Sequence, residues 1–219
     1  MIRERRRSPH RARALAATRD GHSRGVMALA LLLAAALALV PGLARPAESR
    51  ASAEVSVAEA TLVDQDGATA RFRTDVIGDH VVVVDFVYTT CTTVCPVLSS
   101  VFARVQHRLG DRLGNGVRLV SVSLDPVRDV PARLKSYAAR YGAGPHWKWL
   151  TGKQEDVEQV LKGLGAYTPS FSAHVPMILV GDGRSGSWTR FNGFPAEDRI
   201  VAKVDELLAS RAHTASLAR

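Results

Sequence analysis

Apolar side chains occur along this sequence in two patterns, short unbroken runs and stripes spaced three and four apart, and the two alternate. Val81–Tyr88 is a run broken only by Asp85, and "GVRLVSVSL" (116–124) is a second. Runs of this length and valine content predict central strands covered on both faces. Behind Pro96, the positions Leu98, Val101, Phe102, Val105 and Leu109 recur at helical spacing. Pro96 suits the first turn of that helix, where its missing N–H is not needed. Pro131–Tyr141 is predicted as a second helix and Trp147–Leu150 as a further strand. Thr151-Gly152-Lys153-Gln154 has the form of a capping box opening a third helix, which ends near Gly163. Ile200, Val201, Val204, Leu207 and Leu208 make the stripe of a last helix. Two hairpins frame these elements, one turning at residues 64–67 and one at residues 181–186. Strands alternating with helices, then a terminal hairpin and helix, predict an α/β fold with a mixed sheet flanked by helices. A site is expected beyond the C-terminal ends of its central strands.

Length allows one domain of ordinary size plus an N-terminal extension. Residues 1–25 carry eight arginines against Glu4 and Asp20, and Val26–Val40 follows without a polar side chain. A basic segment ahead of a 15-residue apolar core is an export signal or a membrane anchor. The expected boundaries are residues 1–44 for that segment, 45–55 for a small, polar linker, 56–210 for the domain and 211–219 for a flexible tail. The formal charge of +8 would fit a nucleic-acid partner, but its source is the leader. Taking the leader's eight and two from the totals of 29 basic and 21 acidic side chains leaves +2 for residues 45–219. No nucleic-acid interface is expected. The expected location is the outer, periplasmic side of a bacterial cell membrane, with the mitochondrial intermembrane space as the alternative.

Cys91 and Cys95, the two cysteines of the chain, stand where the valine run meets the first helix. Three readings compete. A structural disulfide is common in exported proteins, yet one closing so short a loop constrains little chain entropy. A thioredoxin-like redox pair also follows a strand and opens a helix, but with two intervening residues rather than the three found here. Positions i and i+4 of a helical turn hold their Cβ atoms about 5–6 Å apart, wider than the roughly 3.5–4.5 Å of a relaxed disulfide. Oxidation is open, and two sulfurs bridged by one metal ion fit better. Thiolates at a helix N-terminus are stabilised by its partial positive charge, and two soft sulfurs suit Cu(I), or zinc with further ligands. Of five histidines outside the leader, His80, His107 and His213 read as solvated surface residues, and His146 stands beside Pro145 and Trp147. His174 precedes the strand Met177–Val180, on the loop that a thioredoxin-like arrangement turns toward the thiols.

"DFVYTTCTTVCP" (85–96), "VSLDPVRDVPARLKSYAARYG" (122–142) and a histidine some eighty residues after the thiols together resemble the Sco/SenC family of copper chaperones for cytochrome c oxidase assembly. The resemblance spans about Leu62–Leu208. It implies a thioredoxin-like fold behind an N-terminal membrane segment, with Cys91, Cys95 and His174 as copper ligands. Copper is implied as Cu(I), with Cu(II) also open. The implied function is delivery to the dinuclear copper centre of a haem–copper oxidase, whose copper-centre subunit is the partner. The alternative is an enzyme, a thiol–disulfide oxidoreductase using Cys91 and Cys95 on that centre or on other exported proteins. Other copper chaperones or thioredoxin-like reductants would then be further partners. Thr92 stands where the family commonly has proline, and Ala173 where it has aspartate. Asp125 and Asp129 match the family's acidic positions; Asp129 is read as a turn and cap residue, Asp125 as that or a partner contact.

Overall fold

The computed structural model describes residues 54–217. The strands are β1 (Thr61–Asp64), β2 (Thr69–Arg71), β3 (Val81–Val87), β4 (Val117–Ser123), β5 (Trp147–Gly152), β6 (Met177–Asp182) and β7 (Trp188–Asn192). The helices are α1 (Val94–Leu109), α2 (Pro131–Ala139), α3 (Gln154–Gly163) and α4 (Glu197–Leu217). All seven strands form one sheet in the order β2-β1-β5-β4-β3-β6-β7. β3, β4 and β5 are parallel, while β1 joins β5 and β6 joins β3 antiparallel.

The valine run lies at the heart of this sheet because both of its faces are covered. Val81, Val83 and Val87 enter one core with α1, α2 and α4, while Val82, Val84 and Phe86 enter the other with α3. Every residue of β3 is buried, as expected of a parallel strand with helices on each side. Asp85 shares the parity of Val83 and Val87, so its carboxyl points under α1 rather than into solvent. On α1, Leu98, Val101, Phe102, Val105 and Leu109 are buried as their spacing predicts. Trp147 and Trp149, both buried, stack with ring centroids 4.9 Å apart on that same face. At Gly181 a Cβ atom would come within 2.2 Å of the Trp188 ring on the paired strand, so this glycine serves close packing and its segment is a hairpin arm.

Two expectations change. Thr151 does not open α3: it is a buried residue of β5 opposite Val63, and the helix begins after Lys153 without a side-chain cap. The last helix runs to Leu217, into residues 211–219 that were expected to be a flexible tail. Arg211, placed in the flexible tail by the sequence, donates two hydrogen bonds to buried Asp182 at 3.1 and 2.5 Å, which holds that turn on the sheet. The proposed signal or anchor, residues 1–44, and most of the linker lie outside the described residues. Among the described residues no helix is long and apolar enough to cross a membrane.

Candidate metal centre

β3 delivers its chain to the C-terminal edge of the parallel strands, where a turn closed by the Cys91 N–H on the Tyr88 carbonyl (3.1 Å) places the first thiol. Helix α1 then starts with Thr93 at its N-cap, yet the threonine side chain makes no capping bond. The Cys91 sulfur takes that place by accepting the Cys95 backbone N–H at 3.3 Å, one of the donors a helix N-terminus leaves without an internal partner. Both cysteines are free and buried. The spacing in sequence therefore brings two thiols together at a helix start, one of them already held by backbone donors.

The two sulfurs differ electrostatically. Burial acts to raise the Cys91 pKa, but hydrogen bonds from the backbone N–H groups of Cys95 and Thr93, the Cys95 thiol and the Tyr88 hydroxyl outweigh it and bring it down to about 7. Burial pushes the Cys95 thiol far up, and the neighbouring Cys91 adds to that rise. The pair thus gives up its first proton from Cys91 as pH rises through about 7 and keeps the second on Cys95. Tyr88 is tied to the pair, its hydroxyl pushed up to about 12 chiefly by its bond to Cys91. Beneath them Asp85 accepts a 2.5 Å bond from the Ser121 hydroxyl, which in turn accepts the Trp147 indole N–H at 2.9 Å. The other Asp85 oxygen has no partner, and burial lifts its pKa to about 7.

His174 lies on the loop leading into β6, at the same edge of the sheet. Its ring packs on Phe86 (centroids 5.6 Å apart), and Phe171 of the same loop packs edge-on against Tyr88 at 4.9 Å. The imidazole Nε2 is buried without a hydrogen-bond partner, and burial drives its pKa down to about 4, keeping the ring neutral. The loop reaches the thiols through Tyr88, but the imidazole is not closed on them. Among the described residues no three histidine, cysteine or acidic side chains stand close enough to hold a metal ion. His146 is exposed at the start of β5, the opposite edge, where it lies against Gly114. His107 and His213 are exposed, and His80 lies near the Ile77 carbonyl, also at the opposite edge.

Asp129 does something the sequence reading missed. The N-cap of α2 is Val130, with no side-chain capping bond. The Asp129 carboxylate, fully buried, instead accepts the Thr89 backbone N–H at 3.2 Å, the Thr89 hydroxyl at 2.5 Å and the Ser123 hydroxyl at 2.8 Å. Burial raises its pKa and these donors pull it back. Asp125 pairs with Arg128 at 3.0 Å and accepts the Asp129 N–H on its carbonyl at 2.9 Å, which shapes the turn between β4 and α2.

The sequence model of the SCO1/SenC family matches residues 49–208 of this chain. The chain belongs to the SCO1/SenC family. It is 33% identical over 101 residues to the SCO1 protein homolog of Bacillus subtilis, covering 45% of this chain and 51% of that protein. The matched stretches span about half the length of the curated relatives. Among solved structures it resembles BsSco, a member of the Sco family of cytochrome c oxidase assembly proteins with a disulfide switch. That likeness has 26% identity and a TM-score of 0.60, covering 73% of this chain and 96% of that one. Bradyrhizobium japonicum ScoI, solved with copper bound, shares the fold at 22% identity and a TM-score of 0.58, covering 69% of this chain and 99% of its own.

The thioredoxin-like fold shared with these Sco proteins accounts for the placement of the thiols beyond a central strand and of His174 ahead of β6. Two features of the site were not singled out from the sequence. Tyr88 carried a readable signal, a phenol three residues before a thiol on a turn. The Asp129–Thr89 bond carried none, since its partners lie 40 positions apart.

The rim of the site carries exposed apolar side chains. Among the described residues the exposed large hydrophobic side chains are Val97, Val127, Val130, Tyr167, Val175, Phe194 and Leu217. All but Leu217 lie on segments leaving β3, β4 or β7, or entering β6, at the thiol edge.

Proposed function

We propose that this protein carries copper as Cu(I) and delivers it to the dinuclear copper centre of a haem–copper oxidase during assembly. The observation that carries this reading is the pairing of two buried thiols, one with a pKa near 7, with a neutral imidazole whose Nε2 is buried and unpartnered at the same edge. Two sulfurs and an imidazole nitrogen form a donor set suited to a soft monovalent cation. Metal binding displaces the Cys95 proton, so that both sulfurs ligate as thiolates. The ligands are Cys91, Cys95 and His174, with His174 leaving Phe86 to meet the thiols. A cargo site needs such a ligand, because an arm that can open lets the recipient's donors enter without all bonds breaking at once. The apolar rim receives the copper-centre subunit of the oxidase. Residues 1–44 direct the domain to the outer side of a bacterial membrane, as a retained anchor or a cleaved signal.

A second reading rests on the asymmetry of the two thiols. A Cys91 thiolate beside a protonated Cys95 is the arrangement for attack on a disulfide and release through the second sulfur. In that reading the protein reduces the cysteines of the oxidase copper site. Anaerobic titration of the reduced protein with Cu(I) against a competing chelator decides between them. Stoichiometric retention is expected for the carrier, whereas loss of all copper to the chelator with rapid dithiol exchange would leave the reductant.

A further inference from the structure

We propose that Asp129 is a positioning residue for the thiol pair, fixing the Cys91 turn in its dithiol form through Thr89. The turn that carries Cys91 has few bonds of its own. Within it the Cys91 N–H reaches the Tyr88 carbonyl, and the Cys91 sulfur accepts the Cys95 N–H. Thr89 lies two residues ahead of Cys91, just past the end of β3, and both of its donors reach Asp129. Its backbone N–H stands 3.2 Å from both Asp129 oxygens and its hydroxyl 2.5 Å from one of them. Ser123, the last residue of the neighbouring strand β4, holds the second oxygen at 2.8 Å and accepts the Asp125 N–H at 3.0 Å. Leu124 adds a main-chain bond to the Val87 carbonyl at 2.8 Å. The turn after β4 and the turn after β3 are therefore joined through one buried carboxylate that receives three donors.

A buried carboxylate with this set of donors is costly to disturb, because Asp129 and Ser123 are both shut away from water and lose partners that it cannot replace. The clamp is complete while both cysteines are free, so it favours the dithiol arrangement. Closing a disulfide draws the Cβ atoms to roughly 3.5–4.5 Å, and any shift of Cys91 in that direction pulls on Thr89, two residues away, and so on the Asp129 bonds. Where copper is concerned the proposal rests on the carrier reading: the same clamp holds the Cys91 sulfur in place for an ion. The thiol equilibrium does not depend on that reading.

The test is the dithiol–disulfide equilibrium of the full-length protein in dithiothreitol buffers, read by alkylation of free thiols, for Thr89→Val, Thr89→Ser and Asp129→Ala. Thr89→Val keeps the side-chain shape and removes the hydroxyl. It should shift the equilibrium toward the disulfide by about tenfold or more, the weight of one hydrogen bond to a charged group. Asp129→Ala should shift it at least as far, while Thr89→Ser, which restores the hydroxyl, should stay within about twofold of the parent. A Thr89→Val equilibrium equal to the parent's, or a Thr89→Ser shift as large as that of Thr89→Val, overturns the proposal. If Asp129→Ala does not fold, the two Thr89 variants decide alone. Parent protein that fails to retain Cu(I) would sink the carrier reading and leave this result standing.

Discussion

The two edges of the sheet differ in how completely they satisfy their polar groups. At the edge away from the thiols, charges are paired: Asp182 holds Arg211, Asp64 accepts Lys148 at 3.0 Å and two backbone N–H groups at 2.9 Å, and Arg118 donates to the Asp75 and Val76 carbonyls at 2.5 and 2.9 Å. At the thiol edge there is no Asp, Glu, Lys or Arg from Phe86 to Ala103, nor from Leu164 to Met177. What polar atoms are buried at or beneath that edge include His174 Nε2 and one Asp85 oxygen, both without partners. One edge commits its polar groups to stability. The other commits part of its polar groups, in the Asp129 cluster and the Asp125–Arg128 pair, and leaves His174 Nε2 and one Asp85 oxygen without partners, at a cost in stability that a bound species or a partner recovers.

The contrast breaks most sharply with paired substitutions. Cys91→Ser and Cys95→Ser should each weaken Cu(I) retention by more than about a thousandfold, since one soft sulfur and an imidazole make a poor Cu(I) site. Neither should unfold the reduced protein, because no loop is closed by a bond between them. Asp182→Ala should do the reverse. It leaves a mostly buried Arg211 unpaired and costs about 3 kcal/mol, with copper retention unchanged. Chelator competition and urea unfolding on the same samples check both halves, and a thiol variant that unfolds would remove the distinction between the edges.

Stability against pH offers a second separation. The Asp85 carboxyl is raised to about 7 in the folded protein, so the fold keeps a proton that the unfolded chain releases near pH 4. Its contribution is fully present below about pH 4 and is lost as pH rises to 7. His174 has the opposite sign: with its pKa lowered to about 4, the fold resists a proton that the unfolded chain takes up near 6.5, so stability is lost as pH falls from 6.5 to 4. Asp85→Asn should therefore gain relative to the parent as pH rises from 4 to 7. His174→Ala should gain relative to the parent as pH falls through the same range. Difference curves of urea stability at pH 4.5, 5.5 and 6.5 that slope the same way would contradict this assignment.

Much of this arrangement was legible from the chain, and what was not has identifiable causes. The strand, the thiols and the helix behind them follow from neighbours in sequence, so Val81–Val87, Cys91, Cys95 and α1 could be placed directly. His174 was placed at the right edge because the antiparallel β6 begins there. Its packing on Phe86 was not legible, since a ring contact between distant segments leaves no periodic trace. Asp129 sits before a proline-led helix, where local rules predict a cap; a threonine from another turn claimed its carboxylate instead. Thr151 failed as a cap for a related reason: pairing with β1 kept it in the strand, and tertiary pairing overrode a four-residue motif.

A smaller effect sharpens the description of the thiols themselves. Alkylation of Cys91 in Cys95→Ser should rise with pH to half its limit near pH 7, moved somewhat by loss of the Cys95 thiol as a donor. Cys95 in Cys91→Ser should react slowly up to pH 9, its sulfur buried and protonated. Equal rates for the two variants at pH 7 would show that the backbone donors do not distinguish the sulfurs.

X-ray absorption of the copper-loaded protein, compared with the copper-loaded His174→Ala variant, tests the central claim that two thiols and a displaced imidazole hold the cargo. Two sulfur scatterers and one nitrogen around Cu(I) in the parent, reduced to sulfur alone in the variant with weaker retention, is the predicted result. A parent spectrum that lacks nitrogen, or one that His174→Ala leaves unchanged, would contradict it.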